Sequence, residues 1–152
     1  RGKREIMEMV SPTRPGYQSG TLSGNPLAMH VGYKNLKTLS ENKDIYSELE
    51  KKAIMLEEGI KKNIEELNID ATIVRFKSML TLFFGKGPFE NFDDVQSCDT
   101  EVYSKYFNEM LSRGIMLPPA QFECMFLSTA LTDEDIEYTI KANYEALKAI
   151  YN

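Results

Sequence analysis

Ala71-Thr72-Ile73-Val74-Arg75-Phe76-Lys77-Ser78-Met79-Leu80-Thr81-Leu82-Phe83-Phe84 holds two runs rich in β-branched and aromatic residues, parted only by Lys77-Ser78. Two such runs with a two-residue link predict an antiparallel hairpin. Gly85-Lys86-Gly87-Pro88 ends the second strand. Just upstream the pattern has a different period. Ile45, Leu49, Ala53, Leu56, Ile60, Ile64 and Leu67 recur every three or four residues, with Glu and Lys between them. That spacing predicts a long amphipathic helix. Gly59 costs this helix about 1 kcal/mol relative to Ala, a cost that a close approach to a neighbour would explain.

Working outward, residues 90–99 are acidic and rich in turn formers. Residues 100–112 predict a helix with Val102, Tyr103, Tyr106, Phe107, Met110 and Leu111 on its buried side, and Gly114 stands where a C-terminal glycine belongs. Ile115-Met116-Leu117, stopped by Pro118-Pro119, reads as a short strand, and Met125 to Ser128 as another. Thr132 and Asp135 resemble a capping box opening a last helix that buries Ile136, Ile140, Leu147 and Ile150. Towards the N-terminus, Ile6, Met7 and Val10 give a short helical pattern. Ser11-Pro12-Thr13-Arg14-Pro15-Gly16 then imposes a loop. Asn25 is a good N-cap and Pro26 suits the first turn, so a helix is expected to about residue 41, burying Leu27, Val31, Leu36 and Leu39. The order predicts an α+β fold, a small antiparallel sheet covered by helices on one side.

The 152 residues carry a formal net charge of −5, which argues against a nucleic-acid surface. It leaves room for a small anionic ligand, because backbone donors and helix dipoles act locally. No apolar run reaches the length needed to span a bilayer, and no apolar N-terminal segment suggests a signal peptide. Cys98 and Cys124 are the only cysteines, and without a CxxC or Cys/His cluster no metal site is expected. Both thiols are read as reduced, in a cytoplasmic protein. His30, the only histidine, has no visible partner and reads as structural or exposed. The chain opens on Arg1-Gly2-Lys3-Arg4 rather than Met, which reads as an internal cut.

The stretch with the most evident chemistry is Gly20-Thr21-Leu22-Ser23-Gly24-Asn25-Pro26-Leu27-Ala28-Met29. A Gly-bracketed polar loop running into a capped helix offers backbone N–H groups, a hydroxyl and the positive end of a helix dipole, a combination that suits phosphate. It also suits an ordinary loop leading into a helix. The pattern Gly-Thr-x-x-Gly-Asn-Pro is similar to that of class III pyridoxal-phosphate aminotransferases. The fuller run from Tyr17 to Met29 resembles the glutamate-1-semialdehyde aminomutase branch of that family. Lys3-Arg4-Glu5-Ile6-Met7-Glu8 and Gln121-Phe122-Glu123, with Phe126, Ser128 and Thr132 to Ile136, resemble the same branch, so the likeness covers nearly the whole chain. Pro119-Ala120, Cys124-Met125 and His30 depart from it.

This resemblance implies the C-terminal part of such an enzyme, with the C-terminal domain fold of fold-type I pyridoxal-phosphate proteins. Residues 1–24 would be an interdomain segment carrying the cofactor-phosphate loop, and residues 25–152 a small domain with its long linking helix. Gly20 and Thr21 would bind the cofactor phosphate of the partner subunit, which implies a homodimer. Glu123 would lie near the active site and help control access and retention of the intermediate; on its own it reads as a surface carboxylate. The Schiff-base lysine and the carboxylate that pairs with the pyridine nitrogen would lie upstream, absent from this chain; Lys3 matches a non-catalytic basic position. The implied reaction converts glutamate-1-semialdehyde to 5-aminolevulinate, a tetrapyrrole precursor, by an intramolecular amino transfer. Two alternatives stand beside it: another class III enzyme, such as an ω-amino-acid transaminase, or a non-catalytic dimerisation or interaction domain, whose long helix would expose an apolar patch.

Overall fold

The computed structural model describes residues 2–151; Arg1, where the sequence opens, and Asn152 lie outside the described residues. Its contacts divide the chain into two units, residues 1–42 and 43–152. The division expected from sequence is drawn at 24/25, one helix earlier, so the helix assigned there to the second unit groups here with the first.

The first unit holds α1 (Arg4–Met7) and α2 (Pro26–Glu41). Asn25 caps α2 as expected: its side-chain oxygen accepts the Ala28 N–H at 3.1 Å, and Pro26 occupies the first turn, where a missing N–H costs nothing. The expected burial along α2 is not found. Leu27, Val31 and Leu36 are exposed and Leu39 is half-buried, because no second layer of this unit lies over them. The exposed apolar patch anticipated for the long helix is therefore present.

The second unit holds α3 (Asp44–Leu67), β1 (Thr72–Phe76), β2 (Met79–Phe83), α4 (Phe92–Gln96), α5 (Thr100–Ser112), β3 (Met125–Phe126) and α6 (Asp133–Tyr151). The hairpin forms in the expected register, from Thr72↔Phe83 to Phe76↔Met79, with Lys77-Ser78 as its loop. β3 pairs antiparallel with β2 on the other edge, giving the order β1-β2-β3. Ile73, Leu80 and Leu82 point to one face and meet Ala53, Leu56 and Ile60 of α3, Tyr106 and Met110 of α5, and Ile136 and Leu147 of α6 in a single core. The sheet is small, antiparallel and packed against helices, as predicted.

Three details differ from the sequence expectation. Ile115–Leu117 forms no strand; Gly114, at φ +79°, turns the chain away after α5, and Tyr103 holds Pro118 instead. The later strand covers only Met125–Phe126. Residues 92–96, expected as turn, form a short helix with an Asn91/Asp94 capping box. Conversely, the capping box at Thr132 and Asp135 is present, with the Asp135 N–H reaching Thr132 Oγ1 at 3.1 Å and the Thr132 N–H reaching Asp135 Oδ2 at 2.8 Å.

Candidate functional site

The loop before α2 is a tight turn. The Ser23 N–H donates to Gly20 O at 2.8 Å, the Asn25 N–H donates to Leu22 O at 3.0 Å, and Gly24 takes φ +78°. Thr21 and Leu22 sit at its exposed tip. A Cβ at Gly20 would come within 2.8 Å of Ser23 Oγ, which would have to rotate away. Immediately afterwards the N-terminus of the 16-residue α2 begins. A hydroxyl, the backbone of a compact turn and the positive end of a helix dipole are the donor set an oxyanion needs. The residues present therefore fit a phosphate. His30 is exposed one turn further along α2.

Glu123 belongs to the other unit, and its surroundings are built differently. It is exposed, but the residues around it are anchored. The Tyr103 hydroxyl donates to Pro118 O at 2.7 Å, Gln121 Oε1 accepts the buried Phe84 N–H at 2.9 Å, and the Glu123 N–H closes a turn onto Ala120 O at 3.1 Å. Phe122 packs edge-on against Phe92 of α4, ring centroids 5.7 Å apart. Beyond it, Met125 pairs with Leu80 of β2. Burial first, and the charge of Glu123 second, together raise the Tyr103 phenol to about 12. The same segment lines an apolar cavity of about 550 Å³, with Pro118, Pro119, Cys124 and Met125 on one side and Leu56 and Ile136 on another.

Four buried polar side chains were not legible as such in the sequence: Lys52, Asn63, Gln121 and Asn143. The Lys52 ammonium bonds Glu48 Oε1 at 2.9 Å and Thr129 O at 3.3 Å, tying α3 to the segment before α6. In sequence Lys52 is one of several lysines on a charged face, and nothing local marks it. Both cysteines are free, and burial pushes the Cys98 thiol up, so it stays protonated near neutral pH. Among the described residues no group of acidic, His or Cys side chains is arranged to hold a metal, and no helix is long and apolar enough to cross a membrane.

Comparison with known proteins extends these observations. No protein-family model matches the chain. It is 70% identical over 149 residues to the glutamate-1-semialdehyde 2,1-aminomutase of Clostridium novyi, a match covering 98% of this chain and 34% of that protein. The chain thus spans about a third of the length of the curated relatives it matches. Among solved structures, an omega-transaminase from Sphaerobacter thermophilus superposes with a TM-score of 0.73 at 19% identity, over 99% of this chain and 35% of that one. A glutamate-1-semialdehyde aminomutase from Pseudomonas aeruginosa in complex with PMP gives 0.72 at 23% identity, over 90% and 31%. At these identities the structural matches speak to the fold.

Proposed function

Because this chain resembles glutamate-1-semialdehyde 2,1-aminomutases over nearly all of its own length, we propose that it is the C-terminal part of such an enzyme, one that converts glutamate-1-semialdehyde to 5-aminolevulinate in a pyridoxal-phosphate-dependent, intramolecular amino transfer. The observation that carries this reading is the 70% identity over 149 residues. Pyridoxal phosphate, when bound, carries the amino group between two carbons of one substrate. The residues of this chain contribute around it. Gly20 and Thr21 bind the cofactor phosphate of a partner subunit; their compact turn at the N-terminus of α2 supports this role. The enzyme is then a homodimer, and a cytoplasmic one. Glu123 stands at the mouth of the site and holds the intermediate in place. An anion there disfavours a second, dicarboxylic amino acceptor, as an intramolecular reaction requires.

In this reading the lysine that binds the cofactor lies outside the chain. Pyridoxal phosphate and borohydride added to residues 1–152 then give no stoichiometric adduct on any single lysine; one would overturn this part of the account. The decisive test uses the complete enzyme, supplied with glutamate-1-semialdehyde and no added amino donor or acceptor. Formation of 5-aminolevulinate is the expected result. Activity that appears only with an external amino donor and a keto-acid acceptor would instead make it a class III transaminase.

A further inference from the structure

The segment Pro118–Glu123 carries its exposed carboxylate on a buried foundation, and Gln121 is the foundation's centre. This side chain is 2% exposed. Its Oε1 accepts the N–H of Phe84, the first residue beyond β2. A backbone N–H can only donate, so this contact fixes which end of the amide faces the sheet. The other end, Nε2, is buried with no partner among the described residues. A buried amide that satisfies one donor while leaving its own unpaired contributes little net stability. What it does fix is geometry. The segment is pinned by Tyr103 at Pro118, by Phe84 at Gln121 and by Leu80 at Met125, and the group projecting between the last two pins is the Glu123 carboxylate.

We propose that Gln121 is a positioning residue: by accepting the Phe84 N–H it sets where the Glu123 carboxylate stands, and through that carboxylate it governs how well the enzyme retains its reaction intermediate. The inference rests on the reading of Glu123 given above. Gln121 touches neither substrate nor cofactor in this account, and its effect passes through Glu123.

The experiment compares Gln121→Leu, Gln121→Glu, Glu123→Gln and the Gln121→Leu/Glu123→Gln pair in the complete enzyme. It reads the fraction of intermediate released per turnover, hydrogen exchange at the Phe84 amide, and thermal stability. Gln121→Leu should raise release to within about twofold of the Glu123→Gln value and speed Phe84 exchange about tenfold or more, with little change in melting temperature. The pair should release no more than Glu123→Gln alone, because two changes acting through one group are not additive. Gln121→Glu keeps an acceptor oxygen at the same reach and should bring release back toward that of the unaltered enzyme. If Glu123→Gln raises release while Gln121→Leu speeds Phe84 exchange and leaves release unchanged, the role of Gln121 is overturned and that of Glu123 stands. If Glu123→Gln leaves release unchanged, there is no carboxylate function to position and both fall. Should Gln121→Leu not fold, Gln121→Met, which keeps the length without the acceptor, carries the same comparison.

Discussion

Thr21 and Gln121 show how differently two site residues can be visible in one sequence. Thr21 is legible because its whole setting is local: a glycine before it, a glycine after it, then a capping Asn and a Pro, all within seven residues. Gln121 is not, because its partner is the backbone of Phe84, 37 residues away, and no spacing rule links them. If the Thr21 hydroxyl bonds a cofactor phosphate in the complete enzyme, Thr21→Val removes one charge-assisted hydrogen bond. That is about 1.5–3 kcal/mol, or roughly tenfold or more in cofactor affinity; Thr21→Ser should retain most of it. Equilibrium titration of the apoenzyme with cofactor checks both, and equal losses for Val and Ser would remove the hydroxyl from the account. Glu57 makes a prediction of another kind. Burial alone would push its carboxyl up, but Lys61, at 2.7 Å, and Arg75 of β1 together hold it below the usual carboxylate range. A depressed folded-state pKa contributes stability that is present above the unfolded value and is lost as pH falls through the folded one. Glu57→Gln should therefore destabilise at pH 7 by about 1–3 kcal/mol. Below the depressed pKa the variant and the parent should converge. Denaturation curves across the acid range would test it, and a gap that widened with acid would contradict the assignment.

Secondary-structure elements were readable wherever a period ran long enough. The 24 residues of α3 emerged from spacing, because burial on one face is what creates that spacing; the hairpin emerged from two runs of β-branched and aromatic residues parted by two residues. Ile115–Leu117 failed for the complementary reason. Three apolar residues before two prolines look like a strand, but a strand exists only where a neighbouring edge receives its hydrogen bonds, and here the chain turns at Gly114 and is held by the Tyr103 hydroxyl at Pro118 rather than by a sheet edge. The Gly59 reading, by contrast, is explained by packing. A Cβ at that position would lie 2.6 Å from Ile140 Cγ1 and 2.8 Å from Cγ2, so the glycine is what lets α6 press against α3. Gly59→Ala gains about 1 kcal/mol in helix propensity but forces a β-branched side chain to move within a packed interface, at a cost of about 1–3 kcal/mol. A net loss of stability is expected, despite the better helix former. Pairing it with Ile140→Ala should recover much of the clash term. Thermal melts of the three variants decide the matter: a Gly59→Ala protein more stable than its parent would mean the two helices can separate freely.

At the scale of the molecule, core residues and site residues are distributed unequally. Every buried hydrophobic side chain of the core lies between Ala53 and Leu147, inside the second unit, whereas α2 of the first unit buries none of its residues. Periodicity did not reveal this asymmetry, because Leu27, Val31 and Leu36 have the same chemistry as residues that are buried elsewhere and a period records that a face is apolar, not what lies against it; the exposed patch was anticipated only through the family resemblance. A helix of 16 residues with no buried face is marginal on its own in water. Residues 43–152 carry three long helices packed on a sheet, and an Asn63–Asn143–Tyr106 hydrogen-bond chain, with contacts of 2.8 Å, joins α3, α6 and α5 inside the core. The stability of residues 1–152 should therefore belong to the second unit. A chain of residues 43–152 should unfold in one cooperative transition within about 4 °C of the longer chain, a difference under about 1 kcal/mol. A peptide of residues 1–42 should show little helix by circular dichroism. A shortened chain that melted about 10 °C or more lower would mean that the loop and helix carrying Gly20 and Thr21 are part of the folding unit. They would then be more than a segment held ready for another surface. The two outcomes also differ in their consequence for function. If the first unit adds no stability here, its ordering depends on what it meets in the complete enzyme, and the Thr21 contact forms together with that assembly rather than ahead of it.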